Sequence, residues 1–166
     1  MSDLVLRYPG WRIEDGYPLP LVGSAWEFSA TLDGEAVLDN PSSSSPYFEA
    51  MPTGHCRFSG QSLARSLSVV RTLVAAMDWR ITVSGVLSGP VRGSGMLWYE
   101  TFEPEELPGS TQRGRVEAIS VVQRVQEGLS GESGSVRYMD AGTFGEVGAL
   151  SERQAYDAVF AIRLSV

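Results

Sequence analysis

Apolar and polar residues alternate along much of this chain, and that alternation is its main structural signal. In the stretch WEFSATLDGEAVLD, the apolar residues from Trp26 to Leu32 alternate with polar neighbours, which is the period of a half-buried strand. The dipeptide Asp33-Gly34 follows and favours a type I′ turn. The pattern therefore predicts a hairpin from about Ser24 to Leu38.

Shorter stretches with the same period occur elsewhere. They read DLVLRY, WRITVSGVL, VRGSGMLWYETF, RGRVEAISVVQRVQ, SVRYMD and AYDAVFAIRLSV, and GWRIE is also predicted to be a short strand. The Ser-Gly-Pro turn between the second and third of these predicts another hairpin, in which Gly93 and Gly95 indicate a bulge or a sharp bend.

Residues 61–77 fit two periods. Apolar residues at spacings of four, three, four and three trace one face of a helix, and they are Leu63, Leu67, Val70, Val74 and Met77. Part of the same segment, from Leu67 to Leu73, also fits the period of a strand. We favour a helix here, because the apolar stripe is longer than a typical strand.

Together these elements predict a mainly β fold, either a curved antiparallel sheet or a small barrel, with about seven to nine strands and at most the one helix around 61–77. A parallel α/β fold would need several crossover helices. Residues 1–166 are interpreted as a single β-rich domain. The segment NPSSSSP, residues 40–46, is polar and contains proline at both ends, so it is predicted to be a flexible loop.

Charge and composition exclude several kinds of site. The formal net charge is −7, which argues against nucleic-acid binding, since phosphates need a clustered cationic surface. All 13 basic residues are arginine. Without lysine the chain cannot form a Schiff base, attach pyridoxal phosphate or complete the usual phosphate-binding loop. The glycine-rich stretch GTFGEVG lacks the G-x-G-x-x-G order of a dinucleotide site, and no cofactor is predicted.

The sequence also bears on location. No apolar run approaches the ~20 residues that cross a bilayer, so we expect no membrane partner. The opening MSDLVLRYPGW lacks the pattern of a secretory signal, and a single cysteine cannot form an internal disulfide. We therefore expect a cytoplasmic protein.

The only histidine and the only cysteine are neighbours, His55 and Cys56. If this stretch is extended, adjacent side chains point to opposite faces, so the two groups diverge. A cysteine–histidine dyad needs both side chains within hydrogen-bond reach, and a structural zinc site needs about four such ligands. We expect both residues to pack structurally, and we predict no metal site.

Two glutamates are the candidates for catalysis. Glu100 lies among aromatic residues in MLWYETFEPEE, and Glu27 follows Trp26. A carboxylate between aromatic rings can occupy a dry pocket that raises its pKa, as a general acid requires, and glycosidases use two such carboxylates. The alternative places Glu100 at the solvated end of a strand.

Aromatic residues in the predicted strands are the candidates for ligand binding. A curved sheet that lines its concave side with such rings forms an apolar pocket with a few polar groups, and an arginine in the same strands can bind a ligand carboxylate. The alternative is that the rings only fill the core. The candidate residues are Trp26, Phe28, Trp79, Trp98, Tyr99, Tyr156 and Arg80.

Three stretches, GWRIEDGYPLPLVGSAWEF, RGRVEAISVV and VFAIRLSV, resemble a family of small uncharacterised β-rich domains from GC-rich bacteria. The shared features are a tryptophan-led opening, a VG-x-x-W strand, a G-x-V-x-x-I strand and an apolar final strand. The resemblance implies a bacterial, β-rich domain without an assigned activity.

Three hypotheses of function follow. The first is binding of a small apolar or aromatic molecule in a barrel-like sheet, extending to catalysis that holds a reactive ligand in shape, as in a cyclase or an isomerase. The second is a protein-interaction or oligomer-forming module without a pocket, for example a homodimer. The third is a hydrolase that uses Glu100 with Glu27. The expected partners are a small apolar molecule or another protein.

Overall fold

The computed structural model describes residues 3–40, 45–101, 106–127, 137–150 and 158–166. These residues form ten β-strands and one short 3₁₀ helix, Gly10–Asp15. The strands are β1 (Leu4–Pro9), β2 (Ala25–Leu38), β3 (Tyr47–Ala50), β4 (His55–Ser66), β5 (Arg71–Ala76), β6 (Trp79–Ser84), β7 (Pro90–Glu100), β8 (Gln112–Glu127), β9 (Arg137–Glu146) and β10 (Val159–Ser165). The mainly β fold predicted from the sequence is confirmed. No helix in these residues is long and apolar enough to cross a membrane.

All ten strands belong to one sheet, in the order β3-β4-β5-β6-β2-β7-β1-β10-β8-β9. Two further pairings, β4 with β7 and β2 with β8, close eight of the strands into a ring, and β3 and β9 lie outside it. Most neighbouring strands are antiparallel, whereas β1 with β7 and β2 with β6 are parallel. β2 and β7 also pair with each other, from Ser29 opposite Glu100 to Leu38 opposite Val91. The ring is therefore not a simple barrel.

The main core lies inside this ring and consists of the inward positions of the alternating strands. Trp26 and Phe28 of β2 enter it, as do Trp79, Ile81 and Val83 of β6. Each such side chain contributes about 1.5–3 kcal/mol when it is fully buried. The alternation seen in the sequence therefore records which face of each strand lies in the core.

The outer face of β1 and β10 is also partly buried. Val5 and Ala161 form part of a second, smaller apolar cluster there. The turn between β3 and β4 covers the same face, because Nε of Arg7 donates to the carbonyl oxygen of Thr53 at 2.8 Å. The side chain of Arg7 also lies against Gly54, because a Cβ built on Gly54 would be 2.9 Å from Cγ of Arg7.

The helix predicted for residues 61–77 is wrong. That segment is the second half of β4, a turn at 67–70 and β5. β5 pairs with β4 on one side and β6 on the other, and this pairing outweighs the helical spacing. Of the apolar residues that suggested the helix, Val74 is buried, and the exposed ones are Leu63, Leu67, Val70 and Met77.

The hairpin predicted between Ser24 and Leu38 is also wrong, since β2 runs through Asp33-Gly34 without a turn. Gly34 lies instead against β7, where a Cβ built on it would be 2.2 Å from the carbonyl oxygen of Ser94 and 2.7 Å from Cα of Gly95. Gly95 itself has a φ of 151°. The two glycines therefore allow the long strands to approach closely.

Two smaller predictions are wrong as well. The stretch GWRIE, predicted as a strand, lies in the 3₁₀ helix. Strands β6 and β7 are present but do not form the predicted hairpin, since β6 takes β5 and β2 as neighbours and β7 takes β2, β4 and β1. Of the predicted loop at 40–46, residues 41–44 lie outside the described part of the chain.

Candidate ligand-binding cleft

An open cleft of about 540 Å³ lies where the start of β2, the end of β7 and the start of β8 meet. Residues 17–19, which follow the 3₁₀ helix, form part of its wall. Glu106 and Thr111, on the connection from β7 to β8, form another part. Small-molecule sites occupy roughly 300–1,000 Å³, so this cleft is large enough for a ligand of several rings.

Three stacked rings form the apolar side of the cleft. The alternation of β2 puts Trp26 and Phe28 on its inner face, and the pairing of Ala30 with Tyr99 puts Tyr99 on the same face of the sheet. The ring centroid of Trp26 lies 5.5 Å from that of Phe28 and 5.2 Å from that of Tyr99. Trp26 is only 4% exposed, so packing holds these rings in place and the cleft exposes only a small part of them.

Trp26 also fixes the wall beside it. Its indole Nε1 donates to the carbonyl oxygen of Pro18 at 2.9 Å. Burying the indole N–H without a partner would be unfavourable, and Pro18 supplies that partner from the adjoining segment. The ring and residues 17–19 are therefore coupled in position.

Tyr99 in the cleft wall and its neighbour Tyr8 are both neutral over the physiological pH range. The rings of Tyr8 and Tyr99 lie 4.9 Å apart. Burial raises the pKa of Tyr99 to about 12, against a smaller lowering by Arg12. Burial and the neighbouring Tyr99 raise the pKa of Tyr8 well above its usual range. Neither phenol can act as a base at neutral pH.

Arg12 holds the carboxylate of Glu100 at the edge of the cleft. The 3₁₀ helix places the Arg12 guanidinium near two rings, with Cζ 4.8 Å from the ring centroid of Trp11 and 5.7 Å from that of Tyr99. Its Nη2 donates to Oε1 of Glu100, and its Nη1 lies 3.4 Å from Oδ2 of Asp15. Sequence reasoning missed Arg12, because its partner Glu100 is 88 residues away and no local pattern marks the contact.

Both glutamates proposed for catalysis lie on the cleft. Glu27 is opposite Arg113 across the β2–β8 pairing, and Glu100 is opposite Ser29 across the β2–β7 pairing. Since Glu27 and Ser29 are two residues apart, Glu27 and Glu100 are diagonal neighbours on one face. Glu27 is exposed, whereas Oε1 of Glu100 accepts from Arg12 and from the backbone N–H of Thr101.

Two of the candidate aromatic residues lie elsewhere. Trp79 is buried in the core, with its ring centroid 6.2 Å from that of Phe28. Trp98 lies on the opposite face of β7 from Tyr99, as successive strand residues must, and the Cζ of Arg7 is 5.3 Å from its ring centroid. Trp79 therefore supports the cleft wall from the core, and Trp98 lies on the other face of β7.

Arg80 supports the cleft without lining it. Its Nη2 donates to the carbonyl oxygen of Thr111 at 3.1 Å. The Gln112 side chain also pairs with the Arg80 backbone, accepting from its N–H at 2.9 Å and donating to its carbonyl oxygen at 2.6 Å. These bonds tie the start of β8 to β6. The remaining candidate, Tyr156, lies outside the described residues.

His55 and Cys56 point to opposite faces of β4. Cys56 is buried in the core, and burial raises the pKa of its thiol to about 12. His55 is half-buried on the other face, and its carbonyl oxygen accepts from the N–H of Met51. In the described ranges, no group of three or more His, Cys, Asp and Glu side chains is arranged to hold a metal ion.

No protein-family model, curated protein or solved structure matches this chain. The resemblance to small β-rich bacterial domains therefore stays a prediction. Any assignment of function depends on the geometry of the cleft.

Proposed function

We propose that this domain binds a small molecule with a flat apolar or aromatic body in the cleft between β2, β7 and β8. The observation that carries the proposal is the stacked wall of Trp26, Phe28 and Tyr99 beside a cleft of about 540 Å³. A ring or fused-ring ligand can pack against such a wall in the offset or edge-on geometry that aromatic pairs prefer. Rings held by the core need little reordering when a ligand binds, which favours affinity.

The rim of the cleft supplies polar contacts for such a ligand. Three glutamates and one arginine line it, and they are Glu27, Glu100, Glu106 and Arg113. Ionised groups make stronger hydrogen bonds than neutral ones. Arg12 already pairs with Glu100, and the other two carboxylates still outnumber Arg113, so the rim favours a ligand with an amine or a neutral donor over one with a carboxylate.

Hydrolysis by Glu100 with Glu27 has less support. A general acid must be free to reach the leaving group, whereas Arg12 and the Thr101 N–H share Oε1 of Glu100. Catalysis that only holds a ligand in shape would use the stacked wall itself. It would therefore depend on the same binding event.

Tryptophan fluorescence tests the proposal. Trp26 is the tryptophan that lines the cleft, so a bound aromatic compound should change its emission. The probes are a panel of aromatic amines and neutral heteroaromatic compounds. We expect at least one to quench the native protein saturably, to lose this effect in Trp26→Phe and to keep it in the matched control Trp98→Phe.

A blocking variant separates binding in the cleft from binding elsewhere. Ala25 is exposed and lines the cleft, so Ala25→Trp should fill part of the cavity while the fold persists. We expect this variant to lose the compound without a change in far-ultraviolet circular dichroism. The proposal is wrong if no compound in the panel binds, or if binding survives both Ala25→Trp and Trp26→Phe.

A further inference from the structure

The turn between β4 and β5 carries two exposed apolar side chains. Leu67 is 80% exposed and Val70 is 55% exposed. Val86, on the connection from β6 to β7, is exposed as well, and the Gly85 N–H donates to the carbonyl oxygen of Val70 at 2.9 Å. The two connections therefore lie side by side. We call Leu67, Val70 and Val86 the apolar tip.

The backbone at Val70 is strained. Its φ is 52°, in the left-handed region that a β-branched residue seldom occupies. Glycine or asparagine would take this conformation at lower cost. A strained residue at an exposed position points to a role for its side chain outside the fold.

The charged residues that flank the apolar tip on its two strands are both arginines, whereas the complete chain has a net charge of −7. Arg65 and Arg71 flank the tip on its two strands. Asp78 lies beyond the other end of β5, about 20 Å along the strand at 3.3 Å per residue. That separation is more than twice the screening length of about 8 Å at physiological salt.

We propose that the apolar tip docks on an anionic lipid surface, with Leu67 and Val70 entering the headgroup region and Arg65 and Arg71 binding the acidic headgroups. Apolar side chains with flanking cations are the combination that binds such surfaces without spanning them. The expectation of no membrane partner came from the absence of a spanning segment, which docking of this kind does not need.

Charge favours a lipid surface over a second copy of the chain. A symmetric dimer through the tip would bring Arg65 and Arg71 of both copies into one interface, and like charges oppose that contact. A turn that projects single side chains is also convex, which suits insertion between headgroups. One carboxylate from another strand, Asp39 just after β2, is hydrogen-bonded within the fold, because it accepts from Oγ of Ser59 at 3.1 Å.

Co-sedimentation with vesicles tests this docking. The probes are vesicles of phosphatidylcholine alone and of phosphatidylcholine mixed with phosphatidylserine. We expect the protein to bind the mixed vesicles at low salt and to dissociate as salt rises. Each arginine near an anionic surface contributes about 1 kcal/mol, or about fivefold in partitioning. Arg65→Gln and Arg71→Gln should each lower binding by about that factor, whereas Arg57→Gln, farther along β4 and paired with Glu49, should leave it unchanged.

A second pair of variants separates docking from folding. Val70→Asn removes both the backbone strain and an apolar side chain, so we expect a higher melting temperature together with weaker vesicle binding. Leu67→Ser should weaken binding without lowering the melting temperature. The proposal is overturned if the native protein binds neither kind of vesicle at low salt, or if both variants bind as well as the native protein. It is also overturned if sedimentation velocity shows Leu67-dependent self-association without vesicle binding, because the tip would then be an interface between copies.

Discussion

Replacing Gly34 by alanine tests the close approach of β2 and β7. The new Cβ would lie 2.2 Å from the carbonyl oxygen of Ser94, 2.7 Å from Cα of Gly95 and 3.0 Å from the carbonyl carbon of Ser94. All three are backbone atoms of the paired strand, so no side-chain rotation relieves the clash. Gly34 lies within a strand, so the alanine backbone itself is acceptable there and the cost comes from the neighbouring strand.

The expected loss follows from two opposing terms. Overpacking typically costs 1–3 kcal/mol, occasionally more, and the rigid neighbours place Gly34→Ala near or above the upper end of that range. Alanine also restricts the unfolded chain, which returns about 0.4–1 kcal/mol. We expect a net loss of about 2–3 kcal/mol. In a chain of 166 residues, that corresponds to a fall of about 4–12 °C in melting temperature.

Urea unfolding followed by tryptophan fluorescence measures this loss. Gly148→Ala is the matched control, because a Cβ at Gly148 meets no atom within 4 Å, and its free energy of unfolding should change by no more than about 0.5 kcal/mol. If Gly34→Ala loses about 1 kcal/mol or less with an unchanged denaturant slope, the two strands do not approach each other as described. A loss that small would suit a glycine in a turn.

Three further outcomes test the surroundings of the cleft and the core. Burial raises the pKa of Tyr99 from 10.0 to about 12, so the stability it contributes is complete below pH 10 and is lost as the pH rises through 12. Tyr99→Phe should make that part of a urea-stability profile less steep, and an unchanged profile would contradict the burial. Arg12→Gln and Glu100→Gln should show a coupling free energy of about 1 kcal/mol in a double-mutant cycle, which is modest because the Glu100 side chain is 37% exposed. Additive losses of stability would mean that the pair does not form. Because burial raises the pKa of the Cys56 thiol to about 12, the thiol should resist an aromatic disulfide reagent at pH 8 in the folded chain and react fully in urea. Rapid reaction before unfolding would place the thiol outside the core.

The strands could be predicted because a period of two records which face of a strand is buried. Trp26 to Leu32 and Trp79 to Val83 follow that period and lie in strands. The strand partners could not be predicted, since β1 pairs with β10 from the far end of the chain. Gly34 shows the same limit, because a glycine suits both a turn and a close approach, and only the partner strand distinguishes the two.

The aromatic side of the cleft was partly visible in the sequence. Trp26, Phe28 and Tyr99 were candidates, and the structure brings their rings together. Trp98 was an equal candidate, but it lies one position from Tyr99 and therefore on the other face of β7. Arg12 had no signal at all, since its contact with Glu100 exists only after the ring of strands closes.

The indole N–H resonance of Trp26 gives the most direct test of the cleft as a binding site. Its N–H donates to Pro18 at the wall of the cleft, so a compound that raises the melting temperature should shift this resonance on titration. The indole resonance of Trp98, which lies on the opposite face of β7 from Tyr99 and away from the cleft, should stay in place. A stabilising compound that moves the Trp98 signal and leaves Trp26 unchanged would show that the ligand binds elsewhere.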